Sequence, residues 1–310
     1  MSAPSPHCSP VIAARLRAAG CVFAEDEARL LISAARTFDE LTAMVERRVA
    51  GHPLEHVVGW AEFCGLRVAV DPGVFVPRRR TEFLVSQAVA LTRPGAVVVD
   101  LCCGSGALGA ALAAVREVEL YAVDIDPAAV RCARRNLAAA AGRVYEGDLY
   151  EPLPAALHGR VDVLLANVPY VPTEDIELLP PEARLHEARV ALDGGPDGLD
   201  VLRRVSAGAS VWLAPGGWVL FETSERQAPH AVDILARDGL VPLVVGSGEV
   251  HATVVIGTRP GRSGVPYSAA QHSPRSWPPK LRLRRAAAQD GTAKPDHRRT
   301  AEPPLDLSGR

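Results

Sequence analysis

Apolar residues recur at three- and four-residue spacing through the N-terminal part of the chain, from about residue 11 to residue 50. The pattern is clearest over residues 24–35 and 38–49, where charged positions separate the Ala, Leu, Ile and Val residues. Such spacing is typical of amphipathic helices that bury one face. It predicts a small helical domain over residues 1–58, which contains no catalytic cluster that we can identify.

The pattern changes to alternation between residues 59 and 77, where apolar residues alternate roughly with polar or small ones. Asp71-Pro72-Gly73 is a turn signal between two such runs. We therefore predict a β-hairpin linker over residues 59–80, followed by a helix over residues 81–91.

From residue 96 to residue 257, short apolar runs alternate with helical segments, which is the pattern of a parallel sheet covered by helices on both faces. We therefore predict an α/β domain over residues 81–260. The last two runs are joined only by residues 246–249, too few for a helical crossover, so the final strand should run antiparallel to its neighbour. The seven predicted strands cover residues 96–100, 119–124, 143–147, 161–166, 218–222, 241–245 and 252–256.

The periodicity stops after Pro260, and seven of the 26 prolines fall in the last 50 residues. We expect a disordered, basic, Pro-rich tail over residues 261–310. It carries 10 Lys and Arg against 4 Asp and Glu, which leaves 24 basic and 32 acidic residues for the rest of the chain. The formal charge of −2 therefore averages a tail of +6 and a body of −8. An acidic body argues against a nucleic-acid substrate.

Composition excludes several classes of protein. With 48% hydrophobic and 23% charged residues, and no apolar run near the ~20 residues that cross a bilayer, the chain is not a membrane protein. Its six cysteines form no C-x-x-C pair, and no N-terminal segment resembles a secretion signal. We therefore expect free thiols, a cytoplasmic location and no metal site.

A glycine-rich turn follows the first strand of the α/β domain. It runs from Asp100 through Cys102, Gly104, Ser105 and Gly106 into an Ala-rich helix. Glycines allow a ligand to approach the backbone, and the start of the helix presents unpaired N–H groups. Such turns serve NAD, FAD and S-adenosylmethionine alike, and some only pack a helix on a sheet.

The next strand ends in Asp124-Ile125, about 20 residues beyond the glycine loop, which is the spacing of a ribose-binding carboxylate. An acid at Asp100, just ahead of the loop, suits a cationic amino acid moiety better than a diphosphate. We therefore favour S-adenosylmethionine over NAD as the cofactor.

Asn167-Val168-Pro169-Tyr170 directly follows the predicted strand 161–166. Ligands of open α/β sheets bind beyond the carboxyl ends of the strands, so this tetrapeptide should border the methyl group of the cofactor. The Asn side chain and the neighbouring backbone carbonyl can accept both hydrogens of a planar –NH2 group, and Tyr170 can cover its flat face. The alternative is a Pro-containing turn whose Asn satisfies loop backbone.

At this point the chain resembles the HemK-type protein-(glutamine-N5) methyltransferases, which modify the Gln of the Gly-Gly-Gln motif in peptide chain release factors. The likeness runs roughly over residues 11–258 and includes the segments 51–59, 75–78 with Thr81-Glu82, and 191–199. It implies a class I methyltransferase fold, with a seven-stranded Rossmann-like sheet whose last strand is antiparallel, behind a small helical domain. It also implies a release factor as the protein substrate, and we expect the enzyme to act as a monomer.

The resemblance carries further roles. Gly104 and Gly106 belong to the cofactor loop, Asp124 to the ribose contact, and Asp148-Leu149 to the adenine pocket. Asn167 and the carbonyl of Val168 hold the substrate amide, while Pro169 and Tyr170 shape its slot.

Three positions depart from the family pattern: Val168 replaces a proline, Cys102 replaces a glycine of the loop, and Arg79 replaces a proline. Valine keeps the carbonyl but releases the fixed φ, and a Cβ at residue 102 could change cofactor affinity. The run Arg78-Arg79-Arg80 could contact an acidic partner or an rRNA-like surface near the site, or it could be a solvated loop.

Two other functions stay open at the level of sequence. An N6-adenine or other nucleic-acid amino-methyltransferase would use the same Asn-x-Pro-Tyr segment to orient the amino group of a flipped base. A non-catalytic cofactor-binding interaction module would keep the fold without the activity.

Overall fold

The computed structural model describes residues 9–261, so the predicted tail lies outside the described residues except for Gly261. No helix among residues 9–261 has the length and apolar character needed to span a membrane.

The N-terminal part is helical, as its periodicity predicts, and its helices enclose a core of their own around the fully buried Leu16, Leu31 and Leu41. The Arg48 guanidinium pairs with Glu27 at 2.6 Å and with Glu182 at 2.7 Å, which ties this core to the α/β part of the chain. The helices are α1 (Ser9–Ala18), α2 (Ala24–Ala34), α3 (Phe38–Val49) and α4 (Leu54–Val58).

The hairpin exists, but its connection is not the predicted one. The turn at Asp71-Pro72-Gly73 does form, with the Val74 N–H donating to the Asp71 carbonyl at 3.1 Å, but it lies after the hairpin. Strands β1 (Trp60–Phe63) and β2 (Leu66–Ala69) are joined by Cys64 and Gly65, whose φ angles are 50° and 74°. Positive φ at both central residues gives the turn that matches the twist of a two-residue hairpin. The segment after Asp71 forms no strand, because Val74 and Val76 instead pack against the helix that follows the second strand of the main sheet.

The main sheet confirms the prediction of seven strands with an antiparallel last strand. Its order is β5-β4-β3-β6-β7-β9-β8, and β9 runs antiparallel to both of its neighbours. The strands are β3 (Ala96–Leu101), β4 (Val118–Asp124), β5 (Arg143–Glu146), β6 (Val161–Ala166), β7 (Leu213–Thr223), β8 (Val241–Ser247) and β9 (Ala252–Thr258). Strand β7 begins earlier than predicted because Leu213 already pairs with Val161 before a shift in register.

Helices cover both faces of this sheet. Alternate residues of a strand enter opposite cores, so Val97 and Val99 pack on one face and Val98 on the other. The helices are α5 (Glu82–Leu91), α6 (Ala107–Ala113), α7 (Pro127–Leu137), α8 (Pro181–His186), α9 (Asp200–Trp212) and α10 (Ala228–Arg237). The strand order reverses between β3 and β6, so the loops after these strands diverge and leave a crevice at their carboxyl ends.

Asp100 is a buried carboxyl group that supports the loop from β3 to α6. It is 1% exposed, and its Oδ2 accepts a hydrogen bond from the Gly109 N–H at 3.0 Å. Burial raises the pKa of Asp100 to about 7, although the Gly109 N–H opposes the shift. The folded protein therefore keeps this proton to a higher pH than the unfolded chain.

This proton linkage predicts a pH effect on stability. Because the folded-state pKa of Asp100 is raised, its contribution to the free energy of unfolding is full below about pH 4 and is lost as the pH rises towards 7. Asp100→Asn has no titrating proton at this position. Between pH 5 and pH 8 the native protein should therefore lose about 2 kcal/mol of unfolding free energy relative to this variant. Urea unfolding of both proteins at pH 5 and pH 8 measures this loss. The same difference in unfolding free energy between the two proteins at both pH values would contradict the raised pKa.

Cys102 holds a backbone conformation that favours glycine, with a φ of 53°. A side chain in the left-handed region costs about 1–2 kcal/mol, which glycine avoids while losing about 0.5–1 kcal/mol of chain entropy. Cys102→Gly should therefore be as stable as the native protein or slightly more so, whereas the β-branched Cys102→Val should unfold more easily. Thermal unfolding gives the order.

The neighbouring Cys103 serves as the matched control, since it is buried but its φ is not positive. Cys103→Gly should destabilise the protein. Equal losses of stability for glycine at both positions would argue against backbone strain at residue 102.

Candidate active site

A cavity of about 400 Å³ opens at the carboxyl ends of β3, β4 and β6, where the strand order reverses. Its size falls within the range of small-molecule sites. The predicted site residues that line it are Cys102, Gly104, Ser105, Asp124, Ile125, Asp148, Leu149, Asn167, Val168, Pro169 and Tyr170.

Two predicted cofactor residues do not line the cavity. Asp100 points at the backbone of α6, as described above, because its buried position at the end of β3 faces the helix. Gly106 precedes α6 with a φ of 76°, and a Cβ there would meet Ala133 and Leu137 of α7 at 3.2 Å. Its lack of a side chain therefore serves the close packing of α6 on α7.

The loop after β3 is tied to the end of β4 by Asp124. The Gly104 N–H donates to Asp124 Oδ2 at 2.8 Å, and the Asp126 N–H donates to Asp124 Oδ1 at 2.9 Å. Burial raises the pKa of Asp124, while these backbone N–H groups oppose the rise. Each carboxylate oxygen still has a free acceptor direction, so Asp124 can also bind hydroxyl groups of a ligand in the cavity.

The far end of the cavity is formed by the loop after β5. Asp148 and Leu149 lie there, and the Arg204 guanidinium of α9 reaches across to Asp148 Oδ2 at 2.6 Å. Arg204 also lines the cavity. Because it lies within a long amphipathic helix, no sequence pattern indicates that it belongs to the site.

The Asn167–Tyr170 loop follows β6 and presents a buried hydrogen-bond acceptor. Asn167 Oδ1 is inaccessible to solvent and has no hydrogen-bond partner among residues 9–261. Buried polar atoms are nearly always paired, so the unpartnered amide oxygen of a residue that lines the cavity points to a ligand as its partner. Val168 is 2% exposed, and it lines the cavity beside Asn167.

A second loop, residues 193–199, holds the Asn167–Tyr170 loop from behind. The Gly194 N–H donates to the Val171 carbonyl at 2.8 Å, and a Cβ at Gly194 would lie 2.7 Å from the Pro169 carbonyl oxygen. Gly198, with a φ of 74°, sits so close that a Cβ would overlap the Tyr170 carbonyl. These contacts give a physical reason for the glycines at residues 194 and 198.

Gln227 joins the same two loops. Its Nε2 donates to the carbonyls of Tyr170 at 2.9 Å and Asp197 at 3.0 Å. The buried side-chain amide of Gln227 therefore fixes the spacing between the loops. Gln227 lies far from both loops in the chain, so no local pattern indicates this role.

Tyr170 is held by charged groups at its hydroxyl end. The Arg80 Nη2 donates to Tyr170 Oη at 2.6 Å, and the Tyr170 hydroxyl donates to Glu222 Oε1 at 3.0 Å. Arg80 also donates to Glu222 Oε1 at 3.0 Å. Burial and the Glu222 charge raise the pKa of Tyr170 to about 12, so its hydroxyl stays protonated at neutral pH.

Two of the three arginines make ion pairs with buried carboxylates, while the run itself stays partly exposed. Arg78 pairs with the buried Glu187 at 2.6 Å and Arg80 with the buried Glu222, whereas Arg79 is exposed. Glu222 was missed as a site residue, although it is an acid near the carboxyl end of a strand, the signal that identified Asp124. No group of three His, Cys, Asp or Glu residues among residues 9–261 could hold a metal ion.

Comparisons with known proteins agree with this geometry. The family model described as "Methyltransferase small domain" matches residues 65–205. The release factor glutamine methyltransferase of Geobacter sulfurreducens is 38% identical over 229 residues, which cover 72% of this chain and 80% of that protein. The enzyme of the same name from Mycolicibacterium smegmatis is 42% identical over 65% of this chain and 71% of its own length.

A relative with another name is also similar. The 4-amino-L-phenylalanine/4-methylamino-L-phenylalanine methyltransferase of Streptomyces pristinaespiralis is 37% identical over 59% of this chain and 65% of its own length. The resemblance drawn from the sequence motifs is confirmed, and S-adenosylmethionine is the methyl donor. The chain belongs to the release factor glutamine methyltransferase family.

Proposed function

We propose that this protein transfers a methyl group from S-adenosylmethionine to the side-chain amide nitrogen of a glutamine in a peptide chain release factor. The observation that carries the proposal is the unpartnered Oδ1 of Asn167, a buried atom of a residue that lines the cavity. It is an acceptor that an amide –NH2 group would satisfy.

The residues around the cavity suit the cofactor. S-Adenosylmethionine supplies an electrophilic methyl group on a sulfonium. In our proposal the Asp124 carboxylate accepts hydrogen bonds from the ribose hydroxyls, and the Gly104-Ser105 turn lets the ligand approach the backbone. Asp148 and Leu149 would border the adenine, and Cys102, within the loop after β3, would lie at the methionine end.

The substrate amide requires orientation, because delocalisation into its carbonyl makes the nitrogen a poor nucleophile. Asn167 Oδ1 and the Val168 carbonyl would accept its two N–H groups, which leaves the nitrogen lone pair directed at the methyl group. Pro169 and Tyr170 would shape the slot. Methyl transfer would form the N–C bond as the sulfonium S–C bond breaks, with S-adenosylhomocysteine as the leaving group. The methylated nitrogen would then be a strong acid and would release its proton to water, without a dedicated base.

The partner in this proposal is a protein. The acidic body favours neither DNA nor RNA as substrate, since nucleic-acid affinity depends on clustered Lys and Arg. We propose that the enzyme acts as a monomer, in the cytoplasm where translation terminates, and that residues 1–58, 59–80 and 81–260 are its domain, linker and methyltransferase units.

Direct methylation tests the substrate. The purified full chain is incubated with S-adenosylmethionine and a release factor, and mass spectrometry of peptides locates the methyl group. We expect one methyl on the Gly-Gly-Gln glutamine. Free glutamine and 4-amino-L-phenylalanine serve as small acceptors, and methylation of the latter with none on the release factor would overturn the proposal.

Removal of the Asn167 side chain tests whether it holds the substrate amide. Asn167→Ala should lower kcat by about 10²–10³-fold, because the substrate nitrogen is no longer held in line with the methyl group. The dissociation constant of S-adenosylmethionine, measured by calorimetry, should change little. Unchanged turnover would contradict the role of Asn167.

The loop at residues 193–199 supports the Asn167–Tyr170 loop, and this contact gives a separate prediction. Gly198→Ala forces a Cβ against the Tyr170 carbonyl, so the Asn167–Tyr170 loop must shift, and kcat should fall by about 10²-fold. Gly216→Ala is the matched control: its φ of 83° imposes the same strain, but its Cβ meets nothing within 4 Å. Equal loss of activity in both variants would show that strain alone is responsible.

A further inference from the structure

A second cavity of about 380 Å³ lies beside the active site. It is bordered by the end of β7 and by the turn between β8 and β9, and within residues 9–261 it shares only Arg80 and Tyr170 with the first cavity. The two cavities are therefore separated by these side chains. A chain whose glutamine reaches Asn167 needs room for its neighbouring residues, and this cavity provides such room next to Tyr170.

Glu222 presents an unsatisfied acceptor at the wall of this cavity. Its side chain is 2% exposed, and Oε1 is bound by both Arg80 and Tyr170 at 3.0 Å. Oε2 is buried and has no hydrogen-bond partner in the part of the chain that the structure describes. An unsatisfied buried carboxylate oxygen is costly, so this position calls for a donor from a ligand.

The charge around Glu222 selects the kind of donor. Arg80 pairs with Glu222 and balances the charge of this carboxylate, so a neutral N–H is sufficient to satisfy Oε2, although Glu225 also lines the cavity. The rest of the lining includes the hydroxyl-bearing Thr223, Ser224 and Thr253, together with Glu225 and His251, and polar surface slightly exceeds apolar surface. Polypeptide main chain, with its regular N–H and C=O groups, matches this lining.

We propose that the second cavity binds main chain of the protein substrate next to the target glutamine, with Glu222 Oε2 accepting a backbone N–H. The proposal rests on the proposed function and adds a binding subsite to it. Glu222 is thus a binding residue for the substrate chain and a positioning residue for Tyr170.

Two variants test the subsite from opposite sides. Gly246→Leu places a side chain in the cavity, where a Cβ would meet only the Ala252 carbonyl at 3.9 Å. Glu222→Gln keeps the shape but turns one oxygen into an –NH2 donor. Each should raise KM for the release factor about tenfold, the loss expected for one hydrogen bond. Val244→Leu, on an exposed residue of the same strand, is the control.

The measurements separate binding from folding. Thermal unfolding and the dissociation constant of S-adenosylmethionine should match the native protein in Gly246→Leu. A purely structural Glu222 would lower kcat and thermal stability while KM stayed constant. A rise in native KM with salt that Glu222→Gln abolishes would reveal a cationic donor and overturn the main-chain assignment.

The outcomes keep the two proposals distinct. Absence of any methylated release factor with the native protein would overturn both. Methylation by the native protein with KM unchanged in both variants would overturn the subsite and leave the proposed function intact.

Discussion

The active site that we propose depends on keeping one buried amide oxygen, Asn167 Oδ1, free of partners among residues 9–261. A flexible loop would turn this atom to solvent or to a backbone N–H, because an unpaired buried acceptor is unfavourable. The structure prevents this by holding the loop at its backbone: Gly194, Gly198 and Gln227 engage the carbonyls of residues 169–171. The binding of the substrate amide would then recover the missing hydrogen bond.

Charge pairing extends this rigidity to the side chains. Arg80 and Glu222 hold the hydroxyl of Tyr170, so the ring that borders the substrate slot has little freedom. Arg78 and Glu187 similarly fasten the linker that carries Arg80. These pairs join the linker, the loop after β6 and the end of β7. Val168 and Arg79 stand where the family pattern has proline. The contacts described here hold their segments in place without a proline ring.

Local patterns predicted most of the fold because they depend on local physics. Alternation between apolar strands and helical segments requires a covered parallel sheet, and a connection of four residues cannot form a crossover. The hairpin turn was misplaced because Asp71-Pro72-Gly73 resembles a turn more than Cys64-Gly65 does. The cysteine adopts positive φ only because the flanking strands pair around it.

Spacing along the chain is enough to locate the strand ends that meet at the site, with Asp124 after β4 and Asn167 after β6, because parallel strands bring their carboxyl ends to one edge. Which of the nearby residues face the cavity depends on the packing of the folded chain. That packing turned Asp100 and Gly106 towards helix packing and brought Arg80, Arg204, Glu222 and Gln227 to the site. The physical reason is that side-chain direction and contacts between distant segments follow from packing, which no spacing along the chain encodes.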